Sequence, residues 1–143
     1  MAKTLFPMFG NDFEGDSVQE PTLPVAKECA WDFDADRPIF QNGNPVPVIG
    51  LDAVKVWAYQ ALLTARRRYE VWSPSFGNDL DRLVGQSFSS EAKKAEASRY
   101  ISDCLLVSPY IKEVDVQNMQ LDVDRFTAVV HLITIYGEED IYV

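Results

Sequence analysis

The side chains that could carry out catalysis are few and scattered in this sequence. His131 is the only histidine, and it stands within an apolar stretch, which is typical of a structural residue. Cys104 would be its candidate nucleophile, but this cysteine falls on the apolar stripe of a predicted helix. Because burial in apolar surroundings raises the pKa of a thiol, such a cysteine is inert. The two residues therefore predict no catalytic pair.

Two groups of carboxylates have the residue types that glycoside hydrolysis uses. They are Asp79 with Asp81, and Glu138 with Glu139 and Asp140. Both groups fall near predicted turns of an acidic chain, which is typical of a solvated surface. No set of ligands has the spacing of a metal site, and the glycines do not gather in a phosphate-binding loop. We expect no catalytic residue, no metal and no cofactor.

Length and charge narrow the class of protein further. The chain has 143 residues, of which 47% are hydrophobic, and this is enough for one domain with one core. Its formal net charge of -9 argues against binding to nucleic acid or to an anionic membrane. The N-terminus lacks the apolar core of a signal peptide, and no apolar stretch is long enough to span a bilayer. We expect a soluble protein, made in the cytoplasm, whose two cysteines are free thiols.

The element around which the chain is organised is a long apolar segment that begins at Leu51. Its residues predict a helix that is apolar on nearly every side, which is typical of a buried helix. Asp52 is a candidate N-cap. The last turn is predicted to hold Arg66, Arg67 and Arg68, where cations favour the negative end of the helix dipole.

Two further helices are predicted after a structural turn. Pro74, Phe76 and Gly77 form the turn, and we expect Phe76 to be largely buried. A short second helix follows, which is capped by Asn78 and stopped by Gly85. The third helix is capped by Ser89 or Ser90, ends before Pro109, and has an apolar stripe of Ala97, Tyr100, Ile101, Cys104 and Leu105.

The C-terminal part of the sequence alternates with period two and predicts an antiparallel sheet. Its strands are Val114–Val123, Phe126–Tyr136 and Asp140–Val143, and the second is apolar on both faces, as a central strand is. The first strand changes parity, which predicts a bulge near Gln117-Asn118. The fold class is therefore α+β, with this small antiparallel sheet packed with about three helices.

The N-terminal part predicts a hairpin preceded by an arm. Cys29–Asp34 reads as a strand, Val46–Ile49 as its return, and Asn42-Gly43 carries strong turn chemistry. Residues 1–27 have neither helical nor strand spacing. They are either a disordered terminus or an arm that becomes ordered against a partner. We expect an arm at 1–27 and a single domain at 28–143.

Several short segments resemble one known family when they are taken in order. The first is Pro74-x-Phe76-Gly77-x-x-Leu80-x-x-Leu83-x-Gly85, which follows the arginines. The others are Ala30-Trp31-Asp32-Phe33, Lys55-Val56-Trp57, Arg99-Tyr100-Ile101, Pro109-Tyr110-Ile111 and Ile135-Tyr136-Gly137. Together they resemble the small baseplate wedge proteins, or sheath initiators, of contractile phage tails, and in particular their PBSX-prophage branch.

The resemblance implies a structural protein of the tail baseplate in a virion. Its implied partners are other wedge proteins, including the baseplate J-like ones, the sheath protein, and the tube and hub proteins, with several copies around the tail axis. The machine would be an infectious phage, a defective prophage or a tailocin. Two other readings stay open at this point, a peptidoglycan-cleaving tail enzyme and an assembly chaperone that is absent from the finished particle.

The resemblance also implies two protein-binding sites. Many relatives end the third helix in Glu-Pro-Arg for contact with the core bundle of the wedge, and the matching residues here are Ser108-Pro109-Tyr110. We expect that contact at Arg66, Arg67, Arg68, Pro109 and Tyr110. The alternative is that the arginines form only a solvated helix end.

The second implied site is a sheet edge that accepts an extended arm of a sheath subunit. We expect it at the last strand, formed by Asp140, Ile141, Tyr142 and Val143. The neighbouring carboxylates would discourage this strand from pairing with a second copy of itself, because like charges opposite each other destabilise a strand pair.

Overall fold

Two α-helices and nine strands, most of them short, form the described part of the chain. The structure is a computed structural model that describes residues 22–122 and 125–143. Its helices are α1 (Leu51–Leu63) and α2 (Ser90–Leu105), with one 3-10 helix at Leu80–Leu83. Its strands are β1 (Lys27–Cys29), β2 (Trp31–Asp32), β3 (Arg37–Pro38), β4 (Phe40–Gln41), β5 (Asn44–Pro45), β6 (Pro47–Ile49), β7 (Ile111–Leu121), β8 (Phe126–Thr134) and β9 (Gly137–Tyr142). The predicted α+β class is confirmed.

The first six strands form three small antiparallel pairs that precede α1. β1 pairs with β6, β2 with β3, and β4 with β5, each over only two or three residues. The turn between β4 and β5 is formed by Asn42 and Gly43, which both have positive φ. A two-residue hairpin turn of this kind favours Asn-Gly, so the predicted turn is confirmed. The single predicted strand Cys29–Asp34 is wrong, because Trp31 and Asp32 pair with β3 and only Cys29 pairs with the predicted return strand.

The buried central helix is also confirmed, but its two ends differ from the prediction. The N-cap is Gly50, and Asp52 lies in the first turn, where an acid favours the positive end of the dipole. The helix ends at Leu63 because Thr64 takes up extended backbone angles, so the predicted last turn of arginines is wrong. The buried side chains lie on several sides of the helix and are Ala53, Val54, Val56, Ala58, Ala61 and Leu62.

The predicted second helix is wrong, and the prediction of three helices is wrong with it. The segment that follows Asn78 forms only the single 3-10 turn Leu80–Leu83. Two residues later Gly85, at φ 78, has a backbone conformation that cannot continue a right-handed helix. A segment this short cannot offset the cost of nucleating an α-helix, so the tighter turn forms instead.

The last predicted helix and its cap are confirmed in α2. The Ser89 hydroxyl accepts a hydrogen bond from the Ala92 N–H at 3.2 Å. Its apolar stripe is buried at Ala97, Ile101, Cys104 and Leu105. Neither described helix is long and apolar enough to cross a membrane.

The C-terminal strands form a meander in the order β7-β8-β9, with β8 in the centre as predicted. The register between β7 and β8 shifts between Gln117 and Gln120, and Asn118 has φ 49 there, so the predicted bulge is confirmed. β9 begins at Gly137, earlier than the predicted Asp140. One face of this sheet packs with α1 and α2 in a core whose largest fully buried side chains are Ile101, Leu105, Leu132, Ile141 and Val130.

The start of the described chain is held by two tyrosines, Tyr110 directly before β7 and Tyr136 in the turn between β8 and β9. The Tyr110 hydroxyl donates to the Pro24 carbonyl at 2.8 Å, and the Ala26 N–H donates to the Tyr136 hydroxyl at 3.0 Å. The two rings stack with their centroids 6.1 Å apart. Most of the predicted arm, residues 1–21, lies outside the described residues.

Candidate protein-binding surfaces

The turn after α1 is held by a group of aromatic rings. Phe76 is only 7% exposed, which confirms that it is buried, whereas Pro74 is exposed. The Phe76 ring lies edge-on to Trp57 of α1, with centroids 5.8 Å apart, and stacks on Trp72 at 4.4 Å. Aromatic pairs of this geometry stabilise a fold by about 0.5–1.5 kcal/mol beyond the area they bury. The turn is therefore packed onto the central helix.

Gly77 allows the turn to approach the end of α1 backbone to backbone. Its φ is 102, and a Cβ at this position would lie 2.7 Å from the Thr64 carbonyl oxygen and 3.0 Å from the Arg66 Cα. The Asn78 N–H donates to the Thr64 carbonyl at 2.9 Å, and the Arg66 N–H donates to the Asn78 carbonyl at 2.8 Å. Both the angle and the close approach require glycine.

Asn78 has a role that the sequence analysis missed. Its buried side-chain amide donates to the carbonyls of Leu62 at 2.6 Å and Thr64 at 3.0 Å, and its Oδ1 accepts from the Leu80 N–H at 3.0 Å. The last carbonyls of a helix have no partner within the helix, so Asn78 satisfies the end of α1 while its Oδ1 binds the first residue of the 3-10 turn, whose N-cap residue is Asp79. The sequence signal was only that of an N-cap, and no local pattern links Asn78 to α1.

The three arginines of the predicted partner contact have different surroundings. Arg66 is mostly buried and its Nη1 lies 2.6 Å from the Asp79 carboxylate, so this residue supports the fold. Arg67 has φ 62 and is exposed. Arg68 is also exposed, with its guanidinium carbon 5.9 Å from the centre of the Tyr69 ring. Arg67 and Arg68 are thus the two that a partner could reach.

Pro109 and Tyr110, the other half of that predicted contact, lie on a cavity of about 470 Å³. Trp57 and Phe76 form part of the same wall, and Glu28 lies on it from β1. Burial raises the pKa of the Glu28 carboxyl above its ordinary value. Among the described residues, the arginines do not line this cavity, so the two halves of the predicted contact do not share it.

The outer edge of β9 is open. Ala128 and Val143 exchange both backbone hydrogen bonds, at 2.9 and 3.1 Å. Hydrogen-bonded and non-hydrogen-bonded pairs alternate along an antiparallel ladder, so every second residue of β9 turns its backbone groups away from β8. No described residue supplies a hydrogen-bond partner for these outward backbone groups, which belong to Glu138, Asp140 and Tyr142.

The four residues of the predicted sheath site therefore divide into two pairs. Asp140 and Tyr142 turn their backbone groups outward, and the Tyr142 side chain is 73% exposed. Ile141 is 2% exposed and belongs to the core, and Val143 is bonded to Ala128. Only the first pair can offer backbone groups to another chain, and the second pair holds β9 in place.

β7, at the other side of the meander, is a less regular edge. Its pairing with β8 shifts register twice, once between Ile111 and Glu113 and once between Gln117 and Gln120. Bulges twist a strand and protect an edge from pairing with other chains. β9 pairs with β8 without a shift, so it is the better template of the two.

The carboxylates of β9 are paired with cationic or titratable groups. On one face of the strand, Glu139 contacts Lys55 of α1 at 2.6 Å. On the other face, the His131 Nδ1 lies 2.6 Å from Asp140, and its Nε2 lies 3.6 Å from Glu138. The hydrogen bond to Asp140 raises the pKa of His131 above its ordinary value, and the nearby carboxylate charges act in the same direction.

The nucleophile and base considered in the sequence do not meet. Cys104 is fully buried in the core, and burial raises the pKa of its thiol to about 12. His131 lies mid-strand on the outer face of the sheet, on the same side of β8 as Val129 and Ile133, and its partners there are Asp140 and Glu138. Asp79, from the other carboxylate group, is paired with Arg66. The described residues contain no group of three potential ligands that could hold a metal ion.

Comparison with known proteins gives two matches. The family model for contractile injection system sheath initiators matches residues 27–137. The chain is also similar to the phage-like element PBSX protein XkdS of Bacillus subtilis (strain 168), with 27% identity over 116 residues. That match covers 80% of this chain and 79% of the relative.

Proposed function

The chain belongs to the contractile injection system sheath initiator family, and from this premise we propose that it starts sheath assembly by accepting a strand at β9. The family is a structural one, and we assign no enzymatic activity. The chain would take its place in the baseplate of a contractile phage tail or tailocin. Its partners there would be wedge proteins such as the baseplate J-like ones, the tube and hub proteins, and the sheath protein.

The observation that carries this proposal is the regular, open edge of β9. A sheath strand laid along it would exchange backbone hydrogen bonds with the outward groups of Glu138, Asp140 and Tyr142. The same carboxylates would oppose each other if two copies of β9 met edge to edge. This repulsion would keep two copies of β9 from pairing with each other and leave the edge available to a different chain.

The wedge contact is proposed at Arg67, Arg68, Pro109 and Tyr110. The first two present exposed cations on an acidic protein, and the last two lie on the cavity beside α1. Arginine and tyrosine are common anchors of protein interfaces. We retain the division into an arm at 1–27 and one domain at 28–143 as part of this proposal, with the addition that Ala26 packs into the core.

The experiment that tests sheath initiation is the exchange of Tyr142 for proline. Proline at an edge position removes one outward N–H without disturbing the bonds to β8, and Tyr142→Ala is the matched control because it keeps that N–H. We expect baseplates that contain Tyr142→Pro to carry bare tubes in electron micrographs, while Tyr142→Ala gives sheathed tails. Proline at Ile141, or removal of residues 140–143, is a poorer test because it disturbs the core.

Sheathed tails of normal length from Tyr142→Pro would contradict the proposal. Mass spectrometry of purified tails tests a separate point. If the protein is absent from them, its role is that of an assembly chaperone and not of a baseplate component.

A further inference from the structure

The two faces of β9 differ in charge. On the outer face of the sheet lie the side chains of Glu138, Asp140 and Tyr142, in register with β8 residues of that same face. On the inner face lie Glu139, whose charge is balanced by Lys55 at 2.6 Å, and the apolar Ile141. A strand added to β9 would continue both faces, because side chains alternate along every strand.

The outer face keeps excess negative charge even when its histidine is protonated. His131 stands between Asp115 of β7 and Asp140 of β9 in the pairing register, and Glu138 also approaches it. One imidazole thus faces three carboxylates. One oxygen of the Asp140 carboxylate lies 2.6 Å from the His131 Nδ1. The Glu138 side chain is largely exposed, so a strand added beside β9 could contact it.

We propose that the strand accepted by β9 alternates basic with apolar side chains, with the basic ones beside Glu138 and Asp140 and the apolar ones beside Ile141. This inference rests on the proposed function, since it describes the partner of that same edge. Opposite charges at neighbouring positions of two strands attract, and a lysine or arginine also suits the exposed ring of Tyr142. An apolar side chain on the inner face would continue the apolar face to which Ile141 belongs.

A cleft at this edge has room for the basic side chains of such a partner. Its volume is about 440 Å³, and it is lined by side chains from both faces of β9 together with Lys55 and His131. A basic side chain would enter this cleft on the side of Glu138 and Asp140.

Short synthetic peptides test the pattern on the full chain. Three peptides alternate valine with one other residue, which is lysine in the first, glutamine in the second and glutamate in the third. A fourth, scrambled peptide has the composition of the lysine peptide without its alternation. We expect the alternating lysine peptide to bind about 2- to 30-fold more tightly than the glutamine peptide, as two opposite-charge neighbours predict. The glutamate peptide and the scrambled peptide should bind more weakly still. Amide chemical shifts of the labelled protein should change along β9.

Two double variants control for charge. Glu138→Gln with Asp140→Asn should remove the advantage of lysine over glutamine. Glu113→Gln with Asp115→Asn makes the same change of net charge on the same face, but β7 lies two strands away, at about 10 Å, and should leave that advantage in place. Raising the salt concentration should reduce the advantage as well.

Equal affinities for the lysine, glutamine and glutamate peptides, absence of binding, or shifts that map to β7 would each overturn the inference. The Tyr142→Pro assembly experiment separates this outcome from failure of the proposed function. If peptides bind β9 without regard to charge and Tyr142→Pro blocks sheath formation, only the partner's pattern is wrong. If Tyr142→Pro assembles normal sheaths, the proposed function fails and this inference fails with it.

Discussion

Gly77→Ala should destabilise the protein strongly, although it adds only one methyl group. The new Cβ would lie 2.7 Å from the Thr64 carbonyl oxygen, and the neighbouring atoms belong to the backbone of Arg66. Neither partner can rotate away as a flexible side chain could. The turn and the end of α1 would have to move apart, which would weaken the bonds that Asn78 makes between them.

The expected cost combines three terms. An L residue at φ 102 costs about 1–2 kcal/mol, and relieving the backbone contact costs about 1–3 kcal/mol, as overpacking does. Alanine also lowers the conformational entropy of the unfolded chain, and this offsets the loss of stability by about 0.4–1 kcal/mol. The net loss is therefore about 1–5 kcal/mol, against the roughly 5–15 kcal/mol that holds a domain folded.

Gly85→Ala is the matched control. Gly85 also has positive φ, at 78, but a Cβ there meets nothing within 4 Å. Urea unfolding followed by tryptophan fluorescence measures both variants, and Trp57 and Trp72 report on the ring cluster around Phe76. We expect Gly77→Ala to lose about 1–3 kcal/mol more than Gly85→Ala, with similar m-values. An equal loss in the two variants would refute the close-approach argument.

Three further predictions concern the turn, the arginines and the histidine. Phe76→Ala should lose about 3–5 kcal/mol in the same titration, as large-to-small core changes do, and a loss below about 1 kcal/mol would contradict its packing. Arg67→Ala with Arg68→Ala should leave the unfolding midpoint unchanged but reduce incorporation into baseplates, whereas normal incorporation would favour a merely solvated turn. The pKa of His131 is raised above 6.5, so its pairing with Asp140 stabilises the fold fully below pH 6.5, and this contribution is lost as pH rises through the raised pKa. NMR titration should show a lower His131 pKa in Asp140→Asn, and an unchanged value would contradict the pairing.

Features with a local periodic signal could be predicted from the sequence. The apolar residues of α1 recur on nearly every face of the helix, and α2 has a stripe at helical spacing that ends before Pro109. In the meander, a change of parity near Gln117-Asn118 located a bulge that the structure contains. Each of these signals is set by neighbours within a few residues along the chain.

Features that depend on distant partners could not be predicted in the same way. α1 ends at Leu63, where the side-chain amide of Asn78 donates a hydrogen bond to the Leu62 carbonyl. No pattern before residue 63 indicates this contact. His131 lies among apolar neighbours in sequence, but alternation places it on the outer face, where Asp140 from the next strand meets it. The ion pair between Lys55 and Glu139 likewise joins residues 84 positions apart.

Tyr110 and Tyr136 join parts of the chain that are far apart, and this bears on the order of folding. Their hydroxyl bonds close loops of 86 and 110 residues, which costs about 4 kcal/mol of chain entropy for a loop of about 100 residues. The meander needs only connections between successive strands, so we expect it to form first and the tyrosine bonds to form late. Contacts that form late chiefly govern the rate of unfolding. The segment around Pro24 and Ala26 should therefore detach and return while the open edge of β9 stays folded.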